Sequence, residues 1–331
     1  MNLGFSSNTP STAAANASER PTVLLTGATG YVGGRLLERL AALPLSLRCL
    51  VRSPGKLQGS IEKLPHLPEL QTGDVRDAEA VRRALSGVQT AYYLVHLMAG
   101  AGGDDFERQD REAAQIFATA AREAGVKRIV YLGGLGKTSD PTLSPHLRSR
   151  HEVGSILRDS GVETIEFRAS LVIGQGSLSF DLVQSLTNRL PVMLCPKWLT
   201  TPTQPIAIDD VLDYLVAAES RPAGPSAIYE VGCSDQTTYG GMILEYARQR
   251  GLRRHLIYVP VLTPNLSSLW LALVTPTAFA VGRHLIEGLK NPTIVTDRRA
   301  LSDFAIQPMT IREAIRRAIS LGTTESSEAA R

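Results

Sequence analysis

The chain has 331 residues, of which 43% are hydrophobic, 20% charged and 5% aromatic. This composition excludes a mainly disordered or collagen-like protein and is sufficient for one large core or two smaller ones. The formal net charge of +3, from 35 basic and 32 acidic residues, is too balanced to indicate nucleic acid as a partner. Three cysteines, Cys49, Cys195 and Cys233, form no CxxC pair, so we expect a cytoplasmic protein without a disulfide scaffold or a cysteine-built metal site.

The two ends of the chain differ in composition from the rest. Residues 1–20 are rich in Ser, Asn, Thr and Ala and contain neither an early basic cluster nor a long apolar run. They predict a disordered leader, with a targeting peptide as the alternative. Residues 322–331 are mostly small or polar and predict a flexible tail.

From residue 22 onward, short β-branched runs alternate with longer amphipathic patterns, which is typical of a parallel sheet wound with helices. Predicted strands cover residues 22–26, 47–51, 70–72, 90–97, 127–132, 162–167 and 227–231, and predicted helices cover 31–42, 78–86, 106–124, 144–158, 209–218 and 239–250. We therefore expect an α/β fold with a Rossmann-like, doubly wound, mainly parallel sheet. The NAD(P)-binding domain would span residues 21–174, and a smaller substrate-covering region, residues 175–321, would be interleaved with the sheet.

The strongest local signal is the sequence VLLTGATGYVGG at residues 23–34, where an apolar strand runs through a glycine turn into a helix. Glycines in such a turn allow backbone amides to approach a pyrophosphate and allow the helix to pack closely on the strand. The pattern predicts dinucleotide binding, with a purely structural turn as the alternative. The residues expected to contact the cofactor here are Gly27, Thr29, Gly30, Tyr31, Val32 and Gly33.

The end of the second strand indicates which dinucleotide is bound. An acidic residue there would bind the adenine ribose hydroxyls of NAD(H) and repel a 2′-phosphate. The chain has Arg52 instead, whose guanidinium could clamp that phosphate, so we expect NADP(H) in preference to NAD(H). A solvated Arg52 on an ordinary loop is the alternative. Asp74 and Val75, after the third strand, are expected beside the adenine, although Asp74 could equally cap a turn.

Several motifs resemble a known family. The stretches TGATGYVG (26–33), GDV (73–75), AGVKRIVYL (124–132) and PIAIDDV (205–211) are similar to those of atypical short-chain dehydrogenase/reductases of the NmrA-like group. Residues 92–96, 144–154 and 259–270 resemble bacterial NAD(P)H-binding proteins of the YbjT type. The resemblance covers about residues 22–321 and implies a Rossmann fold that binds NAD(P)H.

The resemblance also implies a catalytic set from which this sequence departs. Active members use a Tyr and a Lys four residues apart on the helix after the fifth strand, with a Ser or Thr at the end of that strand. Here residues 133–136 are GGLG, so the hydroxyl is missing and Gly133 is expected beside the cofactor. The pair at the Tyr/Lys spacing is His146 and Arg150, while a register two residues earlier would give Ser144 and Arg148.

The candidate catalytic residues follow from this alignment. His146 could act as an acid because imidazole titrates near neutrality, and Arg150 could hold ribose hydroxyls but cannot lose its proton. His96, at the end of the fourth strand, is a second candidate proton donor. For both histidines the alternative is a polar surface lining a cofactor cleft. Tyr131 lies inside the fifth strand, where core packing is expected, and no metal-ligand pattern is found in the sequence.

Residues 256–282 contain no charged side chain. A run of this length could cross a bilayer. Pro260, Pro264 and Pro276 divide the run, so a buried or pocket-lining helix pair is expected, with membrane-surface contact or a membrane span as alternatives.

Two functions fit the sequence. The first is an NADPH-dependent reductase of a hydrophobic carbonyl or quinone-like substrate. The second is a non-catalytic NADP(H)-binding sensor or assembly factor, because the Ser/Tyr/Lys set is absent. A small hydrophobic substrate is the expected partner, and the sequence predicts no oligomeric state.

Overall fold

The computed structural model describes residues 20–97, 105–259 and 290–328. Its strands are β1 (Thr22–Thr26), β2 (Ser46–Val51), β3 (Glu69–Thr72), β4 (Thr90–Tyr93), β5 (Arg128–Gly134), β6 (Glu163–Ala169), β7 (Val172–Ile173), β8 (Val192–Cys195), β9 (Pro202–Thr203), β10 (Ile206–Ala207), β11 (Ala227–Val231), β12 (Thr237–Thr238) and β13 (His255–Tyr258). Its α-helices are α1 (Tyr31–Ala41), α2 (Gln58–Ile61), α3 (Ala78–Leu85), α4 (Phe106–Glu123), α5 (Pro145–Arg158), α6 (Leu178–Arg189), α7 (Ile208–Ser220), α8 (Tyr239–Gln249), α9 (Arg299–Phe304) and α10 (Ile311–Glu328).

Seven strands form one sheet in the order β11-β6-β5-β4-β1-β2-β3. Every neighbouring pair in it is parallel, which confirms the predicted Rossmann-like α/β fold. The strand order reverses between β1 and β4. At such a reversal the connections leave in opposite directions and open a crevice at the carboxyl ends of the strands, where open α/β sheets bind their ligands.

Side chains alternate between the two faces of this sheet, as the period of two in a strand requires. Leu25 and Tyr92 pack on the face covered by α1, α7 and α9. Leu24 and Tyr93 pack on the opposite face, against α3, α4 and α5. A third core, which includes Phe180, lies between α6, α8 and α10 in the C-terminal region. The helices therefore cover both faces of the sheet and leave its carboxyl edge for a site.

Side-chain caps begin two of the predicted helices. Asp77 accepts the amides of Glu79 and Ala80 at 3.0 and 3.3 Å, at the start of α3. Ser144 accepts the amide of Leu147 at 3.3 Å, at the start of α5. Each cap satisfies amide donors that have no carbonyl partner within the helix.

The fourth strand ends earlier than predicted. β4 stops at Tyr93, although the pattern predicts a strand over residues 90–97. Its neighbour β1 ends at Thr26, whose hydroxyl accepts the Leu94 amide at 3.2 Å in place of a strand carbonyl. The chain after Tyr93 thus loses its partner on that side and turns out of the sheet, so that residues 94–97 are available to line a site.

The fifth and sixth strands end later than predicted. β5 and β6 each continue two residues beyond the predicted ends, because Gly133 and Gly134 pair with Arg168 and Ala169. The two glycines expected in a loop after the strand are therefore part of the sheet.

The C-terminal region returns to the sheet through β11, the strand predicted at residues 227–231, and the structure shows that it pairs with β6. The same region adds three two-stranded sheets, β7-β10, β9-β12 and β8-β13. Helix α10 runs to Glu328, through residues for which the sequence predicts a flexible tail. The predicted leader up to residue 19, and residues 260–282 of the uncharged run, lie outside the described residues.

Within the three described ranges, the structure has no helix long and apolar enough to cross a membrane.

Candidate functional site

A cavity of about 350 Å³ lies in the crevice at the carboxyl ends of β1, β2 and β4. This volume falls in the range of small-molecule sites. Its lining includes most of the residues expected to hold the cofactor, namely Gly27, Thr29, Gly30, Tyr31, Val32, Gly33, Arg52, Asp74, Val75 and Arg150, together with His96. Gly133 and His146 are not among the lining residues.

The glycine loop has a shape that side chains would block. Gly27 has a φ of +77°, and a Cβ there would lie 2.4 Å from the carbonyl oxygen of Leu94. A Cβ at Gly33 would lie 2.2 Å from the carbonyl oxygen of Gly27. Helix α1 begins after Gly30 without a side-chain cap and without an acidic residue in its first turn. The loop therefore fits a pyrophosphate, because amides and the positive end of the helix dipole face it.

On the β2–β3 side, Arg52 and Asp74 line the cavity. The Asp74 carboxylate accepts the Arg76 amide at 2.9 Å and the Arg76 guanidinium at 3.1 and 3.2 Å. Hydrogen bonds from Arg76, together with the charges of Arg76 and Arg52, hold the pKa of Asp74 below its ordinary value. The negative charge of Asp74 is thus offset by two cations. The sequence did not predict a role for Arg76. Its position two residues after an Asp in a turn is the pattern that could have indicated this contact.

On the β4–β5 side, Arg150 reaches the cavity from α5. Its guanidinium donates to the carbonyl of Val95 at 3.2 Å and to the carbonyl of Leu132. It also lies over the ring of Tyr131, 4.8 Å from the ring centroid. These contacts hold a fixed positive charge between the ends of β4 and β5.

His96 is the imidazole that faces the cavity. Its side chain is 26% exposed, and its Nε2 lies 3.9 Å from Oδ2 of Asp110. This nitrogen has no hydrogen-bond partner among the residues that the structure describes. Burial, with the nearby charges of Arg150 and His146, holds the pKa of His96 well below its ordinary value. The imidazole is therefore neutral at pH 7; because Nε2 is buried beside Asp110, Nδ1 is the ring nitrogen that can donate a hydrogen bond to a ligand if it carries the proton.

His146 lies behind His96 rather than in the cavity wall. The two rings contact each other edge to face with centroids 4.9 Å apart. In the alternative register, Arg148 donates to the Leu143 carbonyl at 2.9 Å, outside the cavity. Ser144 is a helix cap, and its amide donates to Oδ1 of Asn291 at 3.1 Å. Of the two possible pairs on α5, only Arg150 thus lines the cavity.

Gly133 lies inside β5, one position beyond the cavity wall. A Cβ there would lie 3.1 Å from the ring of Tyr131 and 3.2 Å from the carboxylate of Glu166. Its neighbour Leu132 lines the cavity in its place, because alternate residues of a strand face opposite sides.

Tyr131 is a core residue, as the sequence predicts. It is fully buried, and its hydroxyl donates to the carbonyl of Arg150 at 2.9 Å. Burial raises the pKa of Tyr131 to about 12. The hydroxyl is therefore unsuited to exchange a proton with a substrate.

Asp110, on α4, is a site residue that the sequence analysis missed. It is buried and accepts the amide of Leu97 at 3.2 Å and the hydroxyl of Ser149 at 2.9 Å. Asp110 therefore links the segment after β4, which contains His96, to helix α5 through two hydrogen bonds. An acidic residue on the apolar face of α4, four positions before Ala114, is the signal that could have found it.

Among the residues in the described ranges, no group of His, Cys, Asp or Glu is arranged to hold a metal ion.

The sequence is similar to those of NAD(P)H-binding proteins. Residues 27–170 match a family model described as NAD(P)H-binding. The ceramide reductase of Caulobacter vibrioides is 26% identical over 272 residues, which cover 80% of this chain and 83% of that protein. Sterol demethylase protein B of Methylococcus capsulatus is 33% identical over 118 residues, which are 35% of each chain. The match to the latter thus spans about a third of that protein.

Solved structures share the fold over nearly their whole length. The NADPH-dependent quinone oxidoreductase of Escherichia coli, complexed with NADPH, has a TM-score of 0.68 at 18% identity and covers 90% of this chain and 99% of its own. The triphenylmethane reductase of Citrobacter sp., complexed with NADP(H), has a TM-score of 0.70 at 16% identity, with the same coverage of both chains. Residues 27–170 are therefore similar to an NAD(P)H-binding family, the chain as a whole is similar in sequence to a reductase, and its fold is shared with solved reductases that bind NADPH.

Proposed function

We propose that this protein is an NADPH-dependent reductase of a hydrophobic carbonyl or quinone-like substrate. The observation that carries the proposal is a single cavity with different chemistry on its two sides. The glycine loop and Arg52 supply positive potential on the β2–β3 side, and His96 and Arg150 supply a donor and a fixed charge on the β4–β5 side. A dinucleotide spanning the crevice would place its adenine half near Arg52 and its nicotinamide near His96.

The preference for NADPH rests on charge. No carboxylate stands at the end of β2, and Arg52 occupies that position. Asp74, the acidic residue in the neighbouring wall, is hydrogen-bonded to Arg76. A 2′-phosphate would therefore meet the guanidinium of Arg52, and Arg76 would offset the nearest negative charge.

His96 would act on the substrate oxygen. Bound NADPH supplies the hydride. Reduction of a carbonyl would build negative charge on its oxygen, and the neutral imidazole of His96, with its proton on Nδ1, would donate a hydrogen bond to that oxygen. The fixed charge of Arg150 would stabilise the same developing charge. The oxygen then takes its proton from His96, whose partly exposed ring regains one from water.

The substrate class follows from the apolar side chains near His96. Leu94, Val95, Leu97 and Leu132 line this side of the cavity. They favour a ligand with an apolar body, because burial of apolar surface stabilises the complex. The name of the Caulobacter relative, ceramide reductase, supports a hydrophobic substrate as well.

Two measurements test the proposal. Titration of the protein with NADPH and NADH, followed by cofactor fluorescence, gives the two dissociation constants, and NADPH is expected to bind at least about tenfold more tightly. Anaerobic oxidation of NADPH is then measured with a panel of quinones, enones and long-chain ketones. Turnover of about 1 s⁻¹ or faster with one class is expected. Equal affinity for the two cofactors would contradict the cofactor assignment.

A second candidate, a non-catalytic NADP(H)-binding sensor or assembly factor, is favoured by the state of Tyr131. Its hydroxyl is bonded to the Arg150 carbonyl, and the end of β5 carries glycines where related enzymes have a hydroxyl. Tight binding of NADPH without turnover of any compound in the panel would favour this candidate over the reductase.

A further inference from the structure

An exposed apolar surface lies in the C-terminal region, away from the cofactor cavity. In the two-stranded sheet of β8 and β13, Val192 pairs with His255 and Leu194 pairs with Ile257. Val192, Leu194 and Ile257 are 51%, 53% and 49% exposed. We call these three apolar residues, Val192, Leu194 and Ile257, the ribbon face, since the alternation of side chains along a strand directs them to one side.

The ribbon face is not needed for the core beneath it. Met193 and Cys195 alternate with the outward residues of β8 and are fully buried in the core between α6 and α8. A strand with one buried face and one solvent-exposed face normally carries polar residues on the exposed face. Here both sides are apolar, which is typical of a surface that binds a partner.

The two stretches of chain that form the ribbon carry charged residues of one sign. Residues 182–208 and 246–259, which contain both strands and their flanks, include no Asp or Glu. The basic residues in these two stretches are Arg189, Lys197, Arg248, Arg250, Arg253 and Arg254. Lys197 and Arg253 are exposed next to the two strands. An apolar face with exposed cations at its two ends combines the two features that bind a protein to an anionic bilayer surface.

We propose that the ribbon face binds the surface of a membrane that contains anionic lipids. The apolar side chains would enter the headgroup layer, while the flanking cations contact lipid phosphates. A second copy of this chain is a poorer partner, because a two-fold interface would set the same cations against each other. The proposal does not depend on reductase activity.

The test uses the full chain and vesicles of defined composition. Flotation is measured with vesicles of phosphatidylcholine alone and with vesicles that also contain phosphatidylglycerol. Binding to the phosphatidylglycerol vesicles is expected to exceed binding to the neutral ones, and the bound fraction is expected to fall as salt is raised, because salt screens the attraction. Absence of binding to the anionic vesicles would overturn the proposal.

Variants locate the contact. The double variant L194Q/I257Q is expected to weaken partitioning at least about tenfold, since two apolar side chains no longer transfer from water. The double variant K197Q/R253Q is expected to weaken it about 25-fold, because each cation near such a surface contributes about a factor of five. L67Q is the matched control: Leu67 is 72% exposed but precedes β3, at the far edge of the main sheet.

Two further readouts complete the design. Thermal unfolding and NADPH titration of each variant show that a loss of vesicle binding is not a loss of fold. A decrease for L67Q as large as that for L194Q/I257Q would overturn the proposal. So would light scattering that shows a dimer which L194Q/I257Q converts to a monomer without any change in vesicle binding, because the ribbon face would then be an interface between copies of this chain.

Discussion

The imidazole rings of His96 and His146 meet edge to face, with their centroids 4.9 Å apart. This contact joins the segment after β4 to the first turn of α5, two parts of the chain that are 50 residues apart. Only His96 lines the cavity. His146 has the spacing of the family's tyrosine along the sequence. In the folded chain it packs against His96 and does not face the cavity.

Replacement of His96 should separate chemistry from cofactor binding. H96A is expected to lower kcat by about 10²- to 10³-fold, because the substrate oxygen loses its hydrogen-bond donor. The dissociation constant for NADPH should stay nearly unchanged. Steady-state kinetics and NADPH titration measure the two effects. H66A is the control, since His66 is an exposed histidine before β3; a similar loss in H66A, or full activity in H96A, would remove His96 from the mechanism.

Replacement of Arg52 tests the phosphate contact. R52A is expected to weaken NADPH binding by about 10- to 100-fold, the usual loss when a hydrogen bond to a charged group is removed. NADH binding should change little, because NADH lacks the 2′-phosphate. Titration of both cofactors into the same variant measures the difference. R122A removes one positive charge at the exposed end of α4 and controls for net charge. Equal losses for NADPH and NADH in R52A would contradict the assignment.

Two adjacent glycines of α1 provide a matched pair. A Cβ at position 33 would lie 2.2 Å from the carbonyl oxygen of Gly27, whereas a Cβ at position 34 would lie 3.4 Å from the carbonyl oxygen of Ala28, an ordinary van der Waals distance. G33A should therefore destabilise the fold by about 1 to 3 kcal/mol and displace the loop that faces the pyrophosphate. G34A should be neutral or slightly stabilising, because alanine favours helix. Thermal unfolding and NADPH titration of both variants test this, and an intact G33A would show that the loop is wider than the structure has it.

His151 should make the protein less stable in acid. Burial lowers the pKa of its imidazole to about 4, and its Nε2 contacts the Gly134 carbonyl at 3.0 Å. Between an ordinary pKa near 6.5 and pH 4, the unfolded chain binds a proton that the folded chain does not, so stability falls as pH falls through this window. H151Q keeps an NH donor for Gly134 but does not titrate. Urea unfolding at several pH values should show a shallower decline for H151Q, and an unchanged slope would refute the role of His151.

Asp210 should make the protein less stable as pH rises, the opposite of the effect of His151. Burial raises its pKa to about 6, although it accepts the Met309 amide at 2.9 Å. As pH rises from about 4 to 6, the unfolded chain loses this proton first, so the contribution of Asp210 to stability falls and the loss persists above pH 6. D210N keeps an acceptor for Met309 without the charge. It is expected to gain about 1 to 2 kcal/mol over the wild type at pH 7.5, and nothing at pH 4, in urea unfolding. If D210N and the wild type were equally stable at pH 7.5 as well as at pH 4, the raised pKa of Asp210 would be contradicted.

The order of strands and helices could be predicted because it depends on local patterns. The strand at residues 227–231 is confirmed at its predicted position, and Asp77 and Ser144 cap the helices predicted over residues 78–86 and 144–158. Errors concentrate at the carboxyl ends of β4, β5 and β6. The length of a strand there depends on whether its neighbour continues, as Arg168 and Ala169 do beside the two glycines of β5. A single strand's sequence does not contain that information.

The sequence by itself determined the dinucleotide-binding loop, since the freedom of Gly27 and the close approach at Gly33 are properties of the local backbone. It also determined that Arg52 stands where a carboxylate would select NAD(H). Only the tertiary structure decided which histidine faces the cavity and that Asp110 lies beside it. Those contacts arise where α4 packs against α5 and where the chain leaves β4, and they join residues that no periodicity or motif links along the chain.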